Sequence, residues 1–189
     1  EIIHVLPQEF VVDDQDGIHD PVGMTGAKLE ANVHIVTASV SAAQNLINSV
    51  NRAGVEVEEI VLEQLAAADA VLTADEKEMG VALVDIGAGT TDLVIFERGA
   101  IRHIASLPTG GEHVTSDIAV GLRTPIPEAE KLKRRCGCAL SSMVGDDETM
   151  DVASVGGRAS RTMARRILSE VLQPRAEEMC HLLWDEIHR

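Results

Sequence analysis

The chain has 189 residues, 45% of them hydrophobic, 25% charged and only 2% aromatic, with a formal net charge of −15. This is globular rather than disordered composition, and the core has to be built from Val, Ile, Leu and Ala. Charge of this sign gives no attraction to nucleic acid or anionic lipid, and no apolar run approaches the roughly 20 residues of a membrane span.

In chain order, "IIHVLPQEFVVDD" reads as a strand pinched at Pro7, followed by turn signals at Asp16-Gly17 and Asp20-Pro21. Leu29, Ala31, Val33 and Ile35 alternate with Lys28, Glu30, Asn32 and His34, which predicts a half-buried strand. The period then changes. Ser41 with Gln44 forms a capping box, Ala43, Leu46, Ile47 and Val50 make an apolar stripe, and Gly54 closes this helix. "VEVEEIVLEQ" reads as strand and "LAAADAVLT" as a short helix. From Val81 the pattern is strand, glycine-rich turn, strand, tight turn at Arg98-Gly99, strand. Val81 to Val84 place apolar groups on both faces, as burial on both sides requires. Val114, Ile118 and Leu122 mark a helix, Pro127 opens another, and "DDETMDVASVGG" is a polar turn with a short strand. A long amphipathic stretch then runs from about Ala159 to Ile187, with Met163, Ile167, Val171, Met179 and Leu183 as its stripe and a kink expected at Pro174. Strands alternating with helices give the α/β class.

Cys136, Cys138 and Cys180 cannot all pair within the chain, and Cys136-Gly137-Cys138 lacks the further ligands of a zinc site. They read as reduced thiols, as in a cytosolic protein. The histidines at 4, 19, 34 and 103 have no metal-ligand spacing, and the basic run from Lys131 to Arg135 reads as a solvated helix face. There is no signal peptide and no initiator Met, and the opening residues read as mid-strand. The sequence is therefore expected to be an internal fragment of a longer protein.

The most informative stretch is "ALVDIGAGTTDLVIF", residues 82–96. Gly87 and Gly89 are free to take positive φ and leave no side chain before a ligand. Amides of such a turn can converge on an anion, Thr90 and Thr91 add hydroxyls, and Asp85 at the strand end suits a hydrated divalent cation such as Mg²⁺. The bend reads either as a phosphate-and-metal cradle or as a tight hairpin whose aspartates cap the loop. A Rossmann G-x-G-x-x-G is excluded because position 92 is Asp.

This stretch resembles the second phosphate motif of the actin-like ATPase superfamily, which has a ribonuclease-H-like α/β fold. Within it, "HVLPQEFVVDDQDGIHDPVGMTGAKLEANVHIVT", "SAAQNLINSVNRAGVEVEEIVLE" and "LRTPIPEAEKLKRRCGCAL" resemble the FtsA family of bacterial cell-division proteins, over nearly the whole chain. Ala88 stands where that family usually has a third glycine.

The resemblance implies a partial actin-like fold. Residues 1–36 would be the end of subdomain 1C, 37–78 part of 1A, 79–117 part of 2A with the phosphate hairpin, and 118–189 subdomain 2B. It implies that Asp85, Gly87, Ala88, Gly89, Thr90 and Thr91 hold ATP, with Asp85 reaching Mg²⁺ through water. "VLEQLAAADAVL" resembles the superfamily's hinge motif, so Glu63 would orient attacking water as a general base, although the usual proline is Gln64. The implied parent polymerises into filaments, binds the C-terminal tail of FtsZ and recruits other divisome proteins through 1C. It works on the cytoplasmic face of the inner membrane, which it reaches through a C-terminal amphipathic helix that this chain does not include. Arg166, Arg175 and Glu178 are the candidates for the FtsZ tail contact. The rival reading is a chaperone-type or sugar-kinase-type ATPase of the same superfamily. Part of the nucleotide site would precede Glu1 and part follow Arg189. Losing several contacts of about 1 kcal/mol each turns micromolar into millimolar affinity, so weak or no ATP binding and no ATPase activity are expected of this chain alone.

Overall fold

The first apolar run forms β1 (Ile2–Val12), which pairs antiparallel with β2 (Gln15–Ile18) on one side and β3 (Leu29–Thr37) on the other. This computed structural model describes residues 1–156 and 158–188. The β1–β3 register slips between Pro7 and Glu9, so the pinch expected at Pro7 is a bulge. The reversal after β1 lies at Asp13 and Asp14, both with positive φ. Asp16-Gly17, read as a turn, falls inside β2.

Residues 1–85 and 93–104 make one compact unit, and residues 86–92 with 105 onward make a second. In the first unit, the apolar phase of β3 is not its buried phase. Leu29, Val33 and Ile35 are exposed, while His34 and Val36 are half-buried. Alternation identifies an apolar face, but a covering layer has to come from elsewhere, and none lies over this one among the described residues. Helix α1 (Val40–Arg52) starts one turn signal early: Ser39, not Ser41, is its N-cap and accepts from the Ala42 amide. Gly54 follows it with φ +82°. Residues 55–62 form no strand, because an extended segment without a ladder partner is only extended.

Helix α2 (Glu63–Val71) is the expected Ala-rich helix, and a second short helix, α3 (Ala74–Met79), follows at once. Thr73 and Glu76 cap each other's backbone amides there. The next sheet has the order β4 (Val81–Ile86), β5 (Thr91–Glu97), β6 (Ala100–Leu107). Arg98 and Gly99 both have positive φ, as a two-residue hairpin turn requires. Burial on both sides belongs to the central strand β5, whose Leu93 and Val94 are buried. Strand β4 lies at the sheet margin and is only half-buried. Val94, Phe96 and Ile101 close on Ala68 to form the first unit's core.

In the second unit, α4 (Gly111–Gly121), α5 (Ile126–Cys136) and α6 (Arg165–Ile187) pack with the antiparallel pair β7 (Thr149–Val152) and β8 (Arg161–Ala164). Ile118, Leu122, Leu132, Val152, Leu168 and Leu172 form its core. Residues 161–164 are therefore strand rather than the start of the last helix. The helix buries Met179 of the expected stripe together with Leu168 and Leu172 outside it, keeps Val171 half-buried against the core, leaves Ile167 exposed, and runs through Pro174. Lys131 pairs with Glu128 and Arg134 with Glu130, so much of the basic run is neutralised by acids of its own helix. All three cysteines are free.

The burial pattern of α6 is testable. Leu168→Ala removes a fully buried side chain of α6 and is expected to cost about 2–5 kcal/mol. Ile167→Ala, at an exposed position, is expected to stay within roughly 0.5 kcal/mol. Urea midpoints of the two variants check both.

Candidate functional site

The turn between β4 and β5 is built from exposed residues 86–90 and then dives into the buried start of β5. Neither Gly87 nor Gly89 has positive φ; their use here is space. A Cβ on Gly89 would meet nothing within 4 Å, so the chain leaves that side open. The Gly87 amide donates to the Thr90 carbonyl at 2.9 Å, closing the turn on itself at one point. Among the described residues, nothing accepts from the amides of Ala88 and Gly89.

Helix α4 begins directly beside this turn. The amides of Gly111 and Glu112 donate to the carbonyls of Gly87 and Ala88 at 2.9 and 2.8 Å. Gly110 precedes them in extended backbone, and a Cβ there would lie 2.6 Å from the Ala88 carbonyl oxygen and 2.7 Å from that of Gly87. His113 accepts the Gly110 amide on Nδ1 at 3.1 Å, the role usually filled by Glu or Gln at this position of a helix. Thr91 is fully buried and donates its hydroxyl to the Thr109 carbonyl at 2.8 Å, tying β5 to the approach of α4.

From α5, Glu130 and Lys133 reach toward the same place. Lys133 Nζ donates to Glu130 Oε2 (2.7 Å), to the Thr115 hydroxyl (2.9 Å) and to the Gly111 carbonyl (3.0 Å). Thr115 in turn donates to Glu130 at 2.6 Å. The Lys133 ammonium first, then the Thr115 hydroxyl and Arg134, hold the Glu130 carboxyl down to about 2. These groups line one open depression of about 980 Å³. Gly87 and Ala88 lie along it with Gly111 and Glu112 of α4, and Ile126 and Pro127 supply an apolar wall. Lys133 belongs to the basic run expected to be a solvated helix face, and Glu130 lies just before that run. Their spacing of three, which puts both on one helix face, was the available signal.

The remaining expected residues lie elsewhere. Asp85 is half-buried on β4, immediately before the turn, and Glu63 is exposed on the first turn of α2 in the first unit. Arg175 makes a two-pronged pair with Asp117 (2.7 and 3.2 Å) and also bonds Glu178. Those two acids, Asp117 foremost, push its guanidinium pKa further up. Arg166 bonds Asp146 at 2.7 Å with Glu170 near, and remains the more exposed of the two arginines. No group of three or more His, Cys, Asp or Glu among the described residues is placed to hold a metal. No helix among them is long and apolar enough to cross a membrane.

Solved structures share this arrangement of elements. MreB5 of Spiroplasma citri bound to ADP matches 96% of this chain and 70% of its own at 18% identity, with a TM-score of 0.58. The pilus protein complex PilM–PilN matches 95% of this chain and 43% of that chain at 16% identity, with a TM-score of 0.63. The fold is that of the actin-like ATPases. The family model for cell division protein FtsA matches residues 82–181, and that for the SHS2 domain inserted in FtsA matches residues 1–37. The chain belongs to the FtsA family of cell-division proteins. It is 52% identical over 188 residues to cell division protein FtsA of Pseudomonas aeruginosa and 45% identical over 186 residues to that of Escherichia coli. It covers 45% and 44% of those relatives, and they cover 100% and 98% of it.

Because the folded value of about 2 lies below the ordinary 4.5, ionised Glu130 stabilises the fold fully above about pH 4.5, and that contribution fades as pH falls toward 2. The gap in melting temperature between the parent chain and Glu130→Gln is expected to be flat above about pH 5 and to close on further acidification. A pH-independent gap would show that the carboxylate charge is not what holds this corner.

Proposed function

We propose that the turn, together with the depression it borders between α4 and α5, forms a nucleotide site and that its ligand is ATP. The observation that carries the reading is the pair of unbonded amides at Ala88 and Gly89, with open space at Gly89, on a turn whose Gly87 and Ala88 border a depression that ends on Glu130 and Lys133. Two neighbouring amides with no acceptor suit a phosphate oxygen. A carboxylate and an ammonium beside an apolar wall suit ribose hydroxyls and a base. Gly87 and Thr90 shape the turn and Thr91 anchors it. Asp85 would hold Mg²⁺ through its water shell, where the metal would offset phosphate charge. Glu63 enters this reading, as the residue orienting water, through the family resemblance alone.

Titration of the isotope-labelled chain with millimolar Mg·ATP is expected to shift the amide resonances of Ala88 and Gly89 most. Asp85→Asn should weaken binding with Mg²⁺ present and leave metal-free binding nearly unchanged. Silent turn resonances would remove the reading.

For the whole protein, of which the chain matches about 45% of a relative's length, the reading is a filament-forming, ATP-binding cell-division protein. It would tether FtsZ to the cytoplasmic face of the inner membrane and recruit divisome proteins through the segment matching the SHS2 domain. The FtsZ tail would meet Arg166, Arg175 and Glu178 along α6. A peptide carboxylate has to compete with acids already on both arginines, and Arg166 is the easier to win. Arg166→Glu is expected to weaken a labelled FtsZ tail peptide by about tenfold or more without moving the urea midpoint. Arg175→Glu should lower stability as well, since it sets an acid against Asp117. Unchanged anisotropy with Arg166→Glu would delete that contact.

A further inference from the structure

The first amides of α4 face the turn, and a helix start is the obvious place to seat an anion. Here they are already in use: Gly111 and Glu112 donate to the carbonyls of Gly87 and Ala88. A trans peptide is planar, with its C=O and the following N–H pointing in opposite directions. If the Gly87 carbonyl points at Gly111, the Ala88 N–H points away from α4. If the Ala88 carbonyl points at Glu112, the Gly89 N–H does the same. The two bonds therefore turn two consecutive amides to one side together, and these are the two amides for which no acceptor exists among the described residues.

We infer that Gly110 and His113 are positioning residues, which clamp the turn to α4 so that the Ala88 and Gly89 amides present themselves as a pair to phosphate; this rests on the nucleotide reading above. The helix end orients the anion-binding amides without binding the anion. Gly110 is required by contact distance, not by backbone conformation, since its extended φ of −168° is open to any residue. A methyl group there would sit 2.6 Å from the Ala88 oxygen, and that oxygen is backbone, so the turn itself has to move. His113 holds Gly110 in place by accepting its amide, which fixes the start of the helix against the turn.

The test uses Gly110→Ala, His113→Ala and His113→Gln in the 189-residue chain. Hydrogen exchange is read without nucleotide, and amide shifts are read with millimolar Mg·ATP. Gly110→Ala is expected to speed exchange at the Gly111 and Glu112 amides by about tenfold or more while Ile118 and Leu168 keep their protection. It should also abolish the Mg·ATP shifts at Ala88 and Gly89. His113→Ala is expected to act in the same direction more weakly, and His113→Gln, which restores an acceptor at this position, to reverse it. If Gly110→Ala does not fold, the His113 pair decides alone. Exchange that speeds while the Mg·ATP shifts persist overturns the inference and leaves the nucleotide reading standing, as does unchanged exchange in every variant. Protected α4 amides with no Mg·ATP shift in the unmodified chain remove the nucleotide reading and this inference with it.

Discussion

The direction of the turn's amides depends on two hydrogen bonds of ordinary length, from the amides of Gly111 and Glu112 to the carbonyls of Gly87 and Ala88. Each contributes on the order of 1 kcal/mol net, which is small against a core containing Ile118, Leu122 and Leu168. Their importance is geometric. They join the loop at the top of a β-hairpin to a helix that itself packs on α5 and α6, so an exposed glycine-rich turn is held by a buried framework. Gly110 makes the approach possible because any side chain would occupy the place of the turn's own oxygens.

Charge is arranged locally, against the overall balance. In a chain of net charge −15, most cations of α5 and α6 meet a carboxylate, among them Lys133 with Glu130, Arg134 with Glu130, Arg166 with Asp146 and Arg175 with Asp117. Most of these pairs are partly exposed and contribute little stability. They fix where side chains point. Glu130 gathers Lys133, Thr115 and Arg134 around one carboxylate, which sets a polar floor in the depression.

Much of this fold was legible in residues. The break in regular pairing near Pro7, the tight turn at Arg98-Gly99, the helix start at Pro127 and the core positions Ile118 and Leu122 follow from local chemistry alone. The class and family followed from the turn motif and its neighbouring segments. What failed had a common cause, since it depended on which elements become neighbours. Strand β4 is as apolar as β5, but strand order leaves β5 central. Residues 55–62 have strand composition and no ladder partner. The apolar positions of β3 match a covered face that nothing covers among the described residues. Other features were present and overlooked: Thr73 and Glu76 spell a capping box for α3, and Glu130 and Lys133 share a helix face. His113 could not have been read as a cap, because imidazole is not the usual acceptor at that position. Whether the turn holds phosphate is a matter of amide direction, which no residue name carries.

The sheet of β1, β2 and β3 presents Val5, Leu29, Val33 and Ile35 to water at 54%, 60%, 40% and 51% exposure. Valine and isoleucine ridges on a pleated surface adhere well to one another, and only like-charge repulsion between molecules opposes that. Such repulsion reaches about 8 Å at physiological ionic strength and about 3 Å in molar salt. Added electrolyte therefore weakens the long-range repulsion that opposes contact between these wet hydrocarbon ridges.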